Sequence, residues 1–111
     1  MTGETPTYLG DESFEEGAEL LKAMAHPLRL ALLVAMTSEP QCVHELVEVT
    51  GATQPLVSQH LRVLRNADLL TREKRGREVV YGIADEHINH IVIDSLDHVR
   101  TEGNQHDSHM H

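Results

Sequence analysis

The segment from residue 52 to residue 65 constrains the fold more than any other part of the chain. Its apolar residues recur at helical spacing, which predicts one buried face. They are Leu56, Val57, Leu61 and Leu64. Gly51 can end a preceding short helix, and Thr53 can cap the next helix, with Pro55 in its first turn. Two helices joined by a glycine-containing turn are typical of a helix-turn-helix motif.

The polar side chains of the second helix are suited to contacting nucleic acid. Serine, glutamine, histidine and arginine can donate to phosphates or to base edges in a major groove. We predict contacts from Gln54, Ser58, Gln59, His60 and Arg62. The alternative is an ordinary amphipathic helix whose polar face is solvated.

Residues 69–83 predict a β-hairpin with a basic tip. This hairpin makes a DNA-binding helix a better interpretation than an ordinary amphipathic helix. Val79, Val80 and Tyr81 favour a strand, and Gly76 favours the turn. Four basic residues surround the tip: Arg72, Lys74, Arg75 and Arg77. A basic hairpin after a recognition helix is a wing, and we predict that these side chains hold the phosphate backbone.

The charge distribution favours DNA contact by the middle of the chain only. The net charge is −9, yet residues 53–78 hold six basic and three acidic side chains. Residues 1–20 hold six acidic and no basic side chains, and residues 85–111 hold six acidic, one basic and six of the nine histidines. The middle can therefore face DNA, whereas the two ends repel it or bind cations.

The 111 residues predict one small domain with mobile ends. We expect a disordered segment at 1–12, the folded domain at 13–102 and a flexible histidine-rich tail at 103–111. No apolar run is long enough for a membrane span and no secretion signal is visible, so a cytoplasmic protein is expected. The single cysteine excludes an intrachain disulfide.

The order of predicted elements is helix, helix, helix-turn-helix, wing, helix. Capping patterns place helix starts at Ser13 and Pro27, and a short third helix is predicted at about 43–50. In the first helix, Phe14, Ala18, Leu21 and Met24 are spaced to form one buried face. The last helix is predicted from near Asp85 to about Thr101, ended by Gly103 and Asn104.

With these elements the chain resembles the ArsR/SmtB family of metal-sensing winged-helix repressors over about residues 14–101. The resemblance is carried by Ala25-His26-Pro27-Leu28-Arg29-Leu30, Val57-Ser58-Gln59-His60-Leu61, Leu64, Leu69-Leu70, Gly76-Arg77 and Val80-Tyr81. It implies a mainly α fold with a small β-hairpin and a homodimer formed through the N- and C-terminal helices. It also implies binding to double-stranded operator DNA with an inverted repeat, in response to a metal ion or another inducer.

The last helix carries imidazole and carboxylate groups suited to a divalent transition metal. His87 and His98 share a face, but one helix keeps Asp85 and His98 about 20 Å apart. Two antiparallel copies across a dimer axis can bring them together. The resemblance implies a site made by Asp85 and His87 of one chain with His98 of the other.

One position departs from the family's pattern. Thr101 stands where the family often has a second histidine or a glutamate, three residues after His98. The fourth ligand has four candidates, which are Glu102, a tail histidine, an N-terminal group and water. An open site of higher coordination suits nickel, which we place slightly ahead of zinc.

The sequence gives only weak support for a second metal site, at Cys42 and His44. The family sometimes carries a Cys-x-Cys pair here, but this chain has no other thiol. Cys42 is then a small, partly buried side chain, and His26 is a helix-start residue rather than a ligand.

Two other functions compete with a metal-responsive regulator. The first is a winged-helix regulator controlled by a partner protein or a small molecule, without a functional metal site. The second is a metal carrier or metalloenzyme, but the chain has no glycine-rich phosphate loop and no His-Glu-x-x-His motif. We therefore predict that the chain is not an enzyme and that an accessory protein is an open possibility.

Overall fold

The structure, a computed structural model, describes residues 13–109, with side chains described through residue 101, so the segment 1–12 lies outside the described residues. Five helices and a small sheet confirm the predicted mainly α class. The elements are α1 (Ser13–Met24), α2 (Pro27–Ala35), β1 (Gln41–Cys42), α3 (Val43–Thr50), α4 (Gln54–Asn66), β2 (Leu70–Arg75), β3 (Glu78–Ile83) and α5 (Glu86–His109).

The sheet has three antiparallel strands in the order β1-β3-β2. The predicted hairpin is confirmed, with Arg75 opposite Glu78 and a turn in which Gly76 takes a φ of 63°. That left-handed conformation favours glycine because it lacks a Cβ. Strand β1 was not predicted, because two residues are too few to show an alternating pattern. It pairs Cys42 with Val80 and so attaches the start of α3 to the hairpin.

The core lies between the helices and the inner side of the hairpin. Its largest fully buried side chains come from α2, α3, α4 and α5 and from the residue before β2. They are Leu32, Leu33, Leu46, Val57, Leu64, Leu69 and Val92. Burying one such side chain is worth about 1.5–3 kcal/mol, so this cluster positions the recognition helix.

Helices α1 and α5 are among those that keep apolar side chains outside this core. Phe14 and Leu21 of α1 were predicted to be buried, but they are 52% and 53% exposed in the single chain, and Val99 of α5 is 61% exposed. Only Met24 of the predicted α1 stripe is buried. The outward faces of α1 and α5 therefore carry partly exposed apolar side chains at these positions.

The predicted end of the last helix is wrong. Helix α5 continues through Gly103 and Asn104 to His109, so the helix does not end at the proposed tail boundary of 103. A glycine inside a helix costs only about 1 kcal/mol relative to alanine, which a long helix tolerates. No helix in the described part of the chain is both long and apolar enough to cross a membrane.

Candidate nucleic-acid interface and metal sites

The turn before α4 contains the two capping residues that the sequence predicted. Gly51 ends α3 in the left-handed conformation, with φ 76°, and its N–H donates to the carbonyl of Val47 at 2.8 Å. Thr53 is the N-cap of α4, and its hydroxyl accepts from the N–H of Leu56 at 3.4 Å. These caps set where α3 ends and where the recognition helix begins.

Four of the five side chains predicted on the DNA-facing surface of α4 are exposed. They are Gln54, Ser58, Gln59 and Arg62. Arg65 lies on the same helix and is exposed as well. Ser58, Arg62, Arg65 and Tyr81 line a small cleft of about 150 Å³ between the recognition helix and the wing.

The prediction for His60 is wrong, because its side chain is buried. His60 is 7% exposed, its ring lies 4.4 Å from that of His26, and Arg29 donates to its Nδ1 at 3.1 Å. The prediction for Leu56 is wrong in the opposite sense, because this side chain was predicted to be buried and is 40% exposed. The polar face of α4 is thus rotated toward Leu56, and His60 belongs to the packing between α2 and α4.

The buried His60 predicts a stability that depends on pH. Burial, and then the charges of His26 and Arg29, lower the pKa of His60 below its ordinary value. The unfolded chain therefore takes up a proton at a higher pH than the folded chain does. The stability associated with neutral His60 is complete above about pH 6.5 and is lost as the pH falls through the lowered pKa.

We expect the free energy of unfolding in urea to decrease as the pH drops below about 6.5. A His60→Leu variant should show a flatter pH profile, whatever its absolute stability. His90→Gln, at an exposed position of α5, is the control and should keep the wild-type profile. An unchanged pH dependence in His60→Leu would contradict the assignment to His60.

The wing presents its basic residues to solvent as predicted. All four are exposed: Arg72, Lys74, Arg75 and Arg77. Arg75 makes an ion pair with Glu73 at 3.3 Å, so part of its charge is already compensated. Strand β2 is an edge of the sheet, and its charged side chains discourage pairing with another sheet.

The start of α5 brings two of the predicted metal ligands together. Asp85 precedes the helix, and its Oδ1 accepts from the N–H of Ile88 at 3.0 Å. The same oxygen lies 3.8 Å from Nδ1 of His87, whose side chain is 93% exposed. A carboxylate and an imidazole side by side and open to solvent fit a divalent metal, but they are only half of a coordination shell.

The other predicted ligands are not part of that pair. His98 is exposed on α5, about three turns further along the helix. The side chain of Glu102 and those of the tail histidines lie outside the described side chains. Within one chain, then, the site predicted on α5 is incomplete.

The structure also assembles a group that the sequence did not predict. Sγ of Cys42 lies 3.1 Å from Nδ1 of His44, and that nitrogen lies 3.7 Å from Oε2 of Glu78 on β3. Among the described side chains, these three are the one set of three or more potential ligands within 4.8 Å of one another. Glu78 is separated from Cys42 along the chain, so only the pairing of β1 with β3 could have revealed it.

Similarity to known proteins agrees with this architecture. A family model described as bacterial regulatory protein, arsR family, matches residues 26–72. The chain is 46% identical over 87 residues to the HTH-type transcriptional repressor SmtB of Mycobacterium tuberculosis, covering 78% of this chain and 64% of SmtB. It is 34% identical over 90 residues to the regulator NmtR of the same organism, covering 81% of this chain and 75% of NmtR. The chain belongs to the ArsR/SmtB family.

A solved structure of a transcriptional repressor supports the fold. The transcriptional repressor PagR of Bacillus anthracis superposes with a TM-score of 0.67 at 34% identity, covering 72% of this chain and 92% of PagR. The three relatives are named as transcriptional repressors or regulators, which agrees with the prediction that this family member is not an enzyme. The chain spans only about two thirds of the length of SmtB, at 64%.

Proposed function

We propose that this family member is a transcriptional repressor whose dimer binds an inverted-repeat operator and responds to nickel or zinc. The observation that carries the proposal is the exposed pair of Asp85 and His87 at one end of α5, with His98 three turns away on the same helix. Each chain offers two separated parts of a metal site, beside an exposed polar recognition helix and a basic wing. As a DNA-binding regulator it would work in the cytoplasm.

For DNA binding, α4 enters the major groove and the wing lies along the backbone. Gln54, Ser58 and Gln59 contact base edges, and Arg62 contacts a base or a nearby phosphate. Two recognition helices of a dimer then reach successive major grooves, about 34 Å apart. His60 has no part in this contact, because it is buried.

We expect the wing to set the salt dependence of DNA binding. Replacing Lys74 or Arg77 with alanine should each reduce the slope of log affinity against log salt by about 1, because one phosphate contact is lost. Fluorescence anisotropy with a mixed-sequence duplex measures this slope without knowledge of the operator. Lys22→Ala on α1, which also removes an exposed charge, is the control and should leave the slope unchanged.

The dimer is proposed to form through α1 and α5. Their exposed apolar side chains, Phe14, Leu21 and Val99, are the kind of surface that a second copy covers. A two-fold axis that sets two α5 helices antiparallel places the start of one helix beside the later turns of the other. This arrangement also brings the two parts of the metal site together.

The metal ligands are proposed to be Asp85 and His87 of one protomer with His98 of the partner subunit. Thr101 is a poor ligand, so Glu102 or water would complete the coordination shell. A site with nitrogen and oxygen donors and an open position suits nickel slightly better than zinc. Bound metal would supply a cross-link between the two helices, and the chain's own residues would hold it.

Regulation requires that the metal distinguishes between two arrangements of the dimer. A ligand shifts the equilibrium only by the difference in its affinity for the two states. We propose that the metal-bound arrangement separates the recognition helices from the groove spacing, so that the operator is released. The exposed ligands can take up metal without unfolding of the core, which favours a reversible response.

One observation favours a second candidate, a regulator that responds to a small apolar molecule. A mainly apolar groove of about 750 Å³ lies between α2, the end of α3 and α5, and its walls include Leu30, Val34 and Leu96. Together with the missing ligand at Thr101, this groove would suit an effector other than a metal.

The experiment that tests the proposal is operator binding with and without metal. A duplex is selected from a random pool with the metal-free protein, and anisotropy is measured with added nickel, zinc or magnesium. We expect nickel or zinc to weaken binding by about 5- to 150-fold and magnesium to have no effect. Equal affinity in all four conditions would refute the metal response and leave the second candidate.

A further inference from the structure

We propose that His26, Arg29 and His60 form an acid-sensitive cluster that holds the recognition helix in place, so that operator binding weakens as the pH falls. Two of these three side chains are imidazoles, and each uses a ring nitrogen that protonation would take away. The inference rests on the DNA-binding part of the proposed function, because operator affinity is what the experiment measures. It involves no metal and is separate from the response proposed for α5.

The hydrogen bonds of this histidine–arginine cluster require both imidazoles to be neutral. A guanidinium has only donors, so the 3.1 Å contact between Nη1 of Arg29 and Nδ1 of His60 needs that ring nitrogen to accept. The N–H of Leu28 is also a donor, so Nδ1 of His26 accepts from it at 3.0 Å. A protonated imidazole carries a hydrogen on both nitrogens and can accept at neither. Acid therefore removes both hydrogen bonds.

The histidine–arginine cluster connects three helices. His26 is the N-cap of α2, Arg29 lies in the first turn of α2, and His60 lies on the buried face of α4. Arg29 also donates through Nε to the carbonyl of Ala23, near the end of α1. Loss of the contacts at His60 would therefore loosen α4 against α1 and α2. Because α4 carries the side chains proposed to read DNA, its position decides whether they reach the groove.

The surroundings of His60 disfavour a positive charge on its ring. Burial, and then the charges of His26 and Arg29, lower the pKa of His60. Helix α1 brings Glu19 and Lys22 to a cavity that Arg29 also lines, but these two side chains pair with each other at 3.5 Å. Helix α3 and strand β2 also pack against α4, and among the described residues no charged side chain of either contributes to the shift. A proton on His60 is therefore favoured only once the cluster has come apart.

The neighbours of His26 have the same effect. Its half-buried ring lies 4.4 Å from that of His60, and it also lines the apolar groove in which Arg100 of α5 is the charged lining residue. Protonation of both imidazoles would place two positive charges side by side, next to Arg29. Their repulsion adds to the loss of the two hydrogen bonds, so acid favours separation of α4 from α2.

The expected direction is opposite to that of a simple charge effect. Protonation of the nine histidines makes the chain less negative, which by itself strengthens its attraction to DNA phosphates. If DNA binding requires the neutral cluster, each proton that is excluded lowers the affinity by at most about tenfold per pH unit. We expect the affinity for the operator to fall by about threefold or more between about pH 7.5 and about pH 5.5.

Fluorescence anisotropy of the metal-free full chain with the selected operator duplex, at constant ionic strength, tests the inference. Far-UV circular dichroism at each pH checks that the helices persist. No binding at about pH 7.5 would refute the proposed function and this inference with it. Binding that is as tight or tighter in acid would overturn the inference alone. A loss of affinity that coincides with a loss of helical signal would also overturn it, because general unfolding would then be the cause.

Variants that keep the hydrogen bonds but cannot take up a proton identify the groups. Asparagine is a good N-cap, so His26→Asn keeps the start of α2, and His60→Gln keeps an acceptor beside Arg29. The double variant should bind the operator in acid at least as tightly as at neutral pH, and each single variant should lose less affinity than the wild type. His90→Gln, at an exposed position of α5, is the control and should lose affinity as the wild type does. An equal acid-induced loss in the double variant and the wild type would overturn the assignment to these two histidines.

Discussion

Replacing His87 and His98 with alanine is expected to abolish tight nickel or zinc binding at the helix pair. Loss of a residue that only orients a ligand costs about 10- to 100-fold in affinity, so loss of two direct ligands should cost at least about 100-fold. Isothermal calorimetry measures the effect. Adding Cys42→Ser to both proteins removes any contribution from the chain's one thiol.

The same variants test whether the site spans two protomers. An Asp85→Ala/His87→Ala chain and a His98→Ala chain each lack part of the site, and neither should bind tightly alone. After the two are unfolded and refolded together, about a quarter of the wild-type number of tight sites should return, since only mixed dimers contain one complete site. Recovery of no sites would contradict a shared site, and tight binding by either variant alone would contradict the ligand assignment.

A control on the same helix separates ligation from the general effect of losing histidines. His90 is exposed on α5 and lies 3.9 Å from Glu86, but it is not a proposed ligand. His90→Ala should therefore bind metal as the wild type does. An equal loss of affinity in His90→Ala would indicate binding by several exposed histidines without a defined site.

The largest effect on stability is expected from Leu64→Ala. Leu64 is fully buried on the recognition helix, in the cluster that includes Leu33 and Val92. Removing a buried leucine side chain costs about 2–5 kcal/mol, through lost apolar burial and the cavity that remains. A typical domain has a total stability of about 5–15 kcal/mol, so a large part of it would be lost.

Leu56→Ala is the matched control for this measurement. Leu56 lies on the same helix and has the same chemistry, but it is 40% exposed. Its loss should cost about 1 kcal/mol or less. Urea unfolding at a single protein concentration compares the two, since a dimer's stability depends on concentration. Similar losses in both variants would contradict the observed orientation of α4.

The parts of the fold that depend on neighbouring residues were predicted correctly. Gly51 and Thr53 define the turn before α4, Pro27 opens α2, and Gly76 makes the hairpin turn. Gly51 and Gly76 act through their own left-handed backbone conformation, and Thr53 acts through a hydrogen bond to the nearby N–H of Leu56. His26 likewise proved to be a helix-start residue, because its Nδ1 accepts from the N–H of Leu28 at 3.0 Å.

The errors occurred where a residue's surroundings come from distant parts of the chain. Helical spacing gave the correct period of α4 but the wrong edge of its buried face, so the burial of Leu56 and the exposure of His60 were both predicted wrongly. Both residues are near the boundary of the apolar stripe, where one neighbour decides their burial. For His60 that neighbour is α2 together with its N-cap residue, which supply Arg29 and His26 respectively.

The sequence by itself determined the order of the helices and the wing, their capping residues, the basic charge of the wing and the resemblance to the ArsR/SmtB family. Each of these follows from local conformation, from periodicity or from the order of motifs along the chain. Only the tertiary structure decided that His60 is buried and that Glu78 meets Cys42 and His44. The physical reason is that burial and the grouping of distant side chains depend on how helices and strands pack, which local sequence does not encode.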